Sequence, residues 1–293
     1  MNFFIPSLAL ILSIPLLICS RDVALSLPSA FEVILRVVIA GIFPVSVLFK
    51  TFLFSSLGER VSDLLGNTRL FKKAGVSKEA LAVIAGQLCG LPMGACLLSG
   101  KRECDTPLAL SSVPSIAFLV SSCQNGFYIW LISVLVLWNL ALLFPSKESP
   151  STIPPRRISF GKALEEGVLS AVQISGAIIF FGVVISVIPK SCPTPLFEAL
   201  VSLLEMGNGA SMCKNPFFLA FTLSFAGLSA LCQIYYLSGG IPIKKYLMSR
   251  LVIFPFVLLV ILFEKTIFFV LFVLIFLLFV QINISKPLKK ECF

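Results

Sequence analysis

Glu205 stands at the end of the run 194–206 (TPLFEALVSLLEM), an otherwise apolar stretch. A carboxylate there is costly if it faces lipid. Two chemical uses fit it: coupling a proton or cation to movement, and hydrogen-bonding a substrate. The bland alternative is a solvated charge at the membrane interface. Asn208 follows three residues later. A second candidate set, Gln87, Gly90, Pro92 and Gly94, lies inside Ala85–Ala95 (AGQLCGLPMGA). Glycine and proline at that density break a helix. A broken helix at membrane depth is tolerated only where protein buries it or where it lines a cavity. Half-helix N-termini offer unpaired N–H groups and a partial positive charge to a ligand. Plain helix packing through Gly90 and Gly94, spaced i, i+4, is the competing reading. Ser121, Ser122, Gln124 and Asn125 form a third cluster, with an exposed loop as its alternative. Ser224, Ser229 and Gln233 form a fourth.

The elements that must position these residues are membrane segments. Of 293 residues, 58% are hydrophobic and only 13% charged, against about 25% charged in soluble domains. The mean hydropathy is +1.02. The length holds about eight or nine membrane segments. With Lys and Arg placed in short loops, the net charge of +9 reads as topology and not as nucleic-acid binding. There is no histidine, which removes His-based acid–base catalysis and His metal ligands. The nine cysteines form no CxxC pair, so metal or redox use is not expected. No cofactor is expected. An intramembrane enzyme would need a nucleophile–base pair at depth, and no span carries paired acidic residues. The chain reads as a non-enzyme.

The apolar runs are 3–19, 32–55, 80–99, 107–122, 126–144, 166–188, 215–237, 247–263 and 266–283. The first reads as a retained helix in preference to a cleaved signal peptide, since no Lys or Arg precedes it. Arg36 and Lys50 sit near the ends of 32–55, placed to snorkel. Residues 56–80 read as an interfacial helix and a loop, with a helix start at Ser77–Ala80. Glu198, Ser202 and Glu205 share one face of an amphipathic helix, which Gly207, Asn208 and Gly209 end. Glu165-Glu166 and Glu264-Lys265 read as interface charges. The segment 215–237 weakens at 224–229 and is either spanning or re-entrant.

The two halves read alike. ValSerAspLeuLeuGlyAsn (61–67) parallels ValSerLeuLeuGluMetGlyAsn (201–208), and Gly90-Leu91 parallels Gly227-Leu228. With a cytoplasmic N-terminus and a hairpin at 80–99, loops 56–80, Lys101-Arg102 and 145–163 all lie inside. Three crossings then separate equivalent spans, and the second half is inverted, the plan of many secondary transporters. The expected fold is an all-α polytopic membrane protein. It has about eight membrane segments in two inverted repeats, each with an interrupted or re-entrant helical hairpin.

GlyLeuProMetGlyAla (90–95), SerSerCysGlnAsnGly (121–126), GluMetGlyAsnGly (205–209) and PheAlaGlyLeuSer followed by Gln233 occur in that order. This pattern resembles the YlbJ family of sporulation integral membrane proteins. That family carries the nucleoside-recognition or Gate domain, also seen in FeoB iron transporters and concentrative nucleoside transporters. The second-half turn departs from the family's Gly-Gly, reading Ala226-Gly227. The chain is expected to divide into an N-terminal transmembrane helix and loop in 1–30, a first Gate-type repeat in 31–145, a basic Pro-rich cytoplasmic linker in 146–163 and a second Gate-type repeat with a C-terminal helix pair in 164–293. The resemblance implies a multi-pass cell-membrane protein that moves a small anionic metabolite of the dipicolinate type in spore formation. The alternatives are a non-transporting assembly factor for the spore envelope and a nucleoside transporter. The expected partners are the small-molecule substrate and the bilayer.

Overall fold

Serine, glycine and proline cut the apolar runs of this chain into unusually short pieces. The computed structural model describes residues 13–14, 18–91, 93–98, 104–145, 158–189, 191–239 and 243–284. Most of the expected first span at 3–19, the Lys101-Arg102 patch, most of the 146–163 linker and the basic tail lie outside the described residues. Every regular element described is helical.

The N-terminal helix begins earlier than the expected 32–55. Helix α1 (Ser20–Val33) runs without interruption through a π-helical stretch, Ile34–Ile42, into α2 (Phe43–Leu53). Ser20–Val33 contains no glycine, and its one helix breaker, Pro28, is carried inside the helix. Two short helices follow, α3 (Ser56–Gly66) and α4 (Arg69–Ala74), where a single helix and a loop were expected. Ser55 caps α3, its Oγ accepting from Gly58 N at 3.0 Å. A 3-10 turn, Ser77–Glu79, then starts α5 (Ala80–Cys89), at the expected place.

Next come α6 (Met93–Leu97), α7 (Asp105–Ser111), α8 (Ile116–Ser122) and α9 (Gly126–Leu143). The run 107–122 is therefore two helices and not one. Pro114 lacks an N–H and disfavours helix in the residue before it, and Ser115 restarts the chain as the cap of α8, accepting from Phe118 N at 3.1 Å. The second half contains α10 (Phe160–Ser186), α11 (Thr194–Leu204), α12 (Met206–Met212), α13 (Pro216–Phe225), α14 (Gly227–Leu237), α15 (Lys244–Leu262) and α16 (Ile267–Ile284). Gly207, Asn208 and Gly209 do not end a helix, as expected from their types. The chain breaks at Glu205, and these three residues lie in the next helix.

Among the described residues five segments are long and apolar enough to cross a membrane: Val23–Leu53, Gly126–Leu143, Phe160–Ser186, Pro216–Leu237 and Lys244–Leu262. Helix α15 packs across α7, α9 and α13, while α10 packs on α1, α2 and α14. Two apolar cores result. One joins α4, α9, α15 and α16; the other joins the N-terminal helix, α6, α10 and α14. The broken helices lie between them.

Lys50 does not snorkel. Its side chain is 5% exposed and its Nζ lies 3.3 Å from Glu166, which is 31% exposed. The pair ties α2 to α10, so Glu166 is more than an interface charge. Removing one partner of a buried pair leaves an uncompensated charge, whereas replacing both by apolar groups is often near neutral. Glu166→Gln is expected to cost about 3 kcal/mol, the low end for such a pair because Glu166 is partly solvated. Lys50→Met combined with Glu166→Leu is expected to restore most of the loss. Thermal unfolding of the three variants in detergent checks this.

Candidate functional site: the crossed helix breaks

A helix that stops inside an apolar protein leaves up to four carbonyls at its C-terminus without partners. The chain stops in this way at Gly90, at Ser112, at Glu205 and at Ala226, and the four breaks meet in two pairs. Leu91 N donates to Val113 O at 2.8 Å, joining the first break to the second. Gly227 lies against the third, where an added Cβ would stand 3.0 Å from Glu205 N and from the Leu204 carbonyl carbon. Each pair is thus two interrupted helices crossing at their interruptions.

Gly90 makes the first crossing possible. Its φ of 81° and ψ of −171° belong to a region that glycine alone adopts readily. Behind it, α5, α6 and α7 approach closely: a Cβ on Gly94 would lie 2.3 Å from Ser111 Oγ, and one on Gly86 2.5 Å from Ser111 Cβ. Pro92 lies outside the described residues. At the fourth break Ala226 holds φ 61° and Gly227 φ 74°. Ala226 is therefore a left-handed alanine.

Side chains from two other helices donate to carbonyls freed at the second break. Gln87 is buried, and its Nε2 donates to Leu110 O at 3.2 Å. Arg250 Nη2 donates to Ala109 O at 3.0 Å and to Ser112 O at 2.6 Å. Tyr246, one turn before Arg250 on α15, donates its hydroxyl to Phe225 O at 3.2 Å. One helix thus plugs the C-terminal ends of both α7 and α13. Its N-terminus is held by Lys245, whose Nζ lies 3.1 Å from Asp105 and 2.9 Å from Thr106 Oγ1.

Glu205 is buried and turned back on its own chain. Its carboxylate accepts from Gly207 N at 2.9 Å, Asn208 N at 2.6 Å and Asn208 Nδ2 at 3.0 Å. This is the geometry of an N-cap, so the protein's own carboxylate fills the positive end of α12. Glu198, two turns earlier, is also buried and accepts from Lys214 N and Asn215 N, each at 3.1 Å. It anchors the turn before α13.

The remaining predicted residues are scattered. Ser229 is buried and accepts from Gln233 Nε2 at 3.2 Å. Gln233 lines an open cavity of about 300 Å³ with Gln173, Cys232 and Tyr236. Ser122 is half-buried at the end of α8, and Gln124 is exposed in the turn before α9. Asn125 in that turn donates to Glu264 at 3.0 Å. This cluster is an exposed turn away from the crossings. Residues from the first, second and fourth sequence clusters thus flank the crossings, and those from the third do not.

Two features escape the sequence reading. The break at Ser112–Ser115 was signalled by Pro114 beside three serines. Arg250 was signalled by its place in the apolar run 247–263, since an arginine inside such a run faces protein or water and seldom lipid.

The chain is an all-α protein with helices fit to span a bilayer, and in that sense a membrane protein. No protein-family model, curated protein or solved structure matches it.

Proposed function

We propose that this chain is a multi-pass, transporter-like protein that moves a small anionic metabolite of the dipicolinate type across a bacterial membrane. One observation carries the reading: two pairs of helices, each pair crossing at its interruptions. Interrupted helices that meet in this way expose backbone ends toward a shared site in many secondary transporters. A further proposal follows on symmetry. Helices α5 to α9 correspond in order to α11 to α15, so Gly94-Ala95 matches Gly209-Ala210 and Gly90 matches Glu205. This register differs from the pairing of Gly90-Leu91 with Gly227-Leu228 suggested by the letters. In this reading Gln87, Glu205, Asn208, Ser229 and Gln233 are contacts near the translocation path, and the protein has no catalytic role.

A second reading is favoured by a different observation. The first crossing is packed shut, with Gly86, Gly94 and Ser111 too close for one added methyl group. A non-transporting assembly factor needs such packing and no path. The test is uptake of labelled dipicolinate into vesicles bearing the purified chain, beside a panel of nucleosides. Saturable dipicolinate uptake is expected. Nucleoside uptake alone would move the substrate class, and no uptake from folded protein would favour the assembly factor.

A further inference from the structure

Arg250 is 1% exposed, and among the described residues no carboxylate pairs with it. Its partners are two neutral carbonyls and the face of Tyr246, whose ring centre lies 4.4 Å from the guanidinium carbon. A half-helix C-terminus supplies about half a negative charge at most, so the positive charge is not balanced. Nor are the hydrogen bonds. Arg250 Nε is buried without an acceptor, and so is Ser112 Oγ, on the residue whose carbonyl Arg250 grips. Ser224 Oγ is a third such group. It stands one residue before Phe225, the partner of the Tyr246 hydroxyl.

Buried polar groups without partners are few in native proteins, and each calls for an explanation. Here two of them, Arg250 Nε and Ser112 Oγ, lie on residues in direct contact, and the third lies beside Phe225 in the chain, the residue that accepts from Tyr246. A guanidinium only donates, and hydroxyls donate as readily as they accept. What is missing is an acceptor bearing negative charge. The nearby carbonyls of Leu110, Ala109, Ser112, Val113 and Phe225 already hold Gln87, Arg250, Leu91 N and Tyr246, which offsets part of their negative charge.

The geometry points to an anion site beside the second helix break, in which Arg250 Nε and the Ser112 hydroxyl donate to a carboxylate or a small inorganic anion. This deepens the proposed transport of an anionic metabolite and rests on it only for the organic source of the anion. The site differs from the helix N-termini that the sequence offers for anions, since Glu205 occupies the one at α12.

The test measures binding to the purified full chain in detergent by thermal shift, in a buffer whose only anion is a bulky sulfonate. The probes are chloride, inorganic phosphate and pyridine-2,6-dicarboxylate. At least one is expected to raise the unfolding midpoint saturably. Ser112→Ala removes a hydroxyl with no partner, so the midpoint without anion should stay put while the apparent affinity falls by about tenfold, the loss of one hydrogen bond to a charged group. Arg250→Gln should abolish the shift. Should that variant not fold, Ser112→Ala decides alone. Binding unchanged in Ser112→Ala, or no shift with any probe, overturns the site. A shift with inorganic anions only keeps the site and removes the metabolite. Dicarboxylate uptake that survives Ser112→Ala unchanged overturns the site and leaves the transport reading standing.

Discussion

Gly90→Ala is expected to leave almost no folded protein. The new Cβ would sit 2.3 Å from Ser115 N and 2.5 Å from Ser115 Cα. Both are backbone atoms of the cap that starts α8, so no side chain can swing aside. The φ of 81° with ψ of −171° adds a strain of about 1–3 kcal/mol for any residue with a Cβ. Relief requires the first two breaks to separate, which takes the Leu91 N–Val113 O bond with it. The sum is expected to exceed about 4 kcal/mol, the range reserved for a few severe mechanisms. Gly176→Ala is the control, because it lies in the interior of α10 where a Cβ meets nothing within 4 Å, and an alanine inside a helix is favoured by about 0.5–1 kcal/mol. The yield of monodisperse protein and its unfolding midpoint in detergent check both variants. Gly90→Ala with a control-like midpoint would show that the crossing is looser than described.

The helix breaks divide by how they can be read from a sequence. Gly90 and Gly227 announce themselves, because glycine is the residue that turns a chain through positive φ. The break at Glu205 does not, since glutamate favours helices, and the glycines after it draw the reading three residues too far. The break at Ser112 hides inside an apolar run, marked only by Pro114 and its neighbouring serines. The crossings are not local at all: Leu91 meets Val113, and Glu205 meets Gly227, across 20 or more residues of chain. Arg250 is visible as a cation in an apolar run, yet Lys244 and Lys245 beside it make it look like one more interface charge. Lys50 deceives in the same way, because snorkelling and a buried pair with Glu166 start from the same letters. What the sequence conveys well is that the helices are apolar and interrupted. Which interruption meets which is a property of packing.

Glu205 separates a structural role from a transport role through side-chain length. At the N-cap of α12 it accepts from the second and third N–H groups of that helix and from the Asn208 amide. Glu205→Ala leaves these buried donors unpaired. Charge-assisted hydrogen bonds contribute about 1.5–3 kcal/mol, and the carboxylate's interaction with the helix end adds up to about 2 kcal/mol. A loss of about 3–4 kcal/mol is therefore expected on combining these terms incompletely. Glu205→Gln should fall between, because its amide NH2 faces N–H donors on one side. Loss of uptake in either variant thus reports damage to the cap as readily as damage to a substrate contact. Glu205→Asp does not share this ambiguity. Aspartate is among the best N-cap residues, so it should keep the unfolding midpoint within about 1 kcal/mol of wild type. If Glu205 only caps α12, uptake by Glu205→Asp vesicles should match wild type. If its carboxylate also reaches substrate or a coupling ion, withdrawing it by one methylene should lower uptake about tenfold or more with the midpoint unchanged.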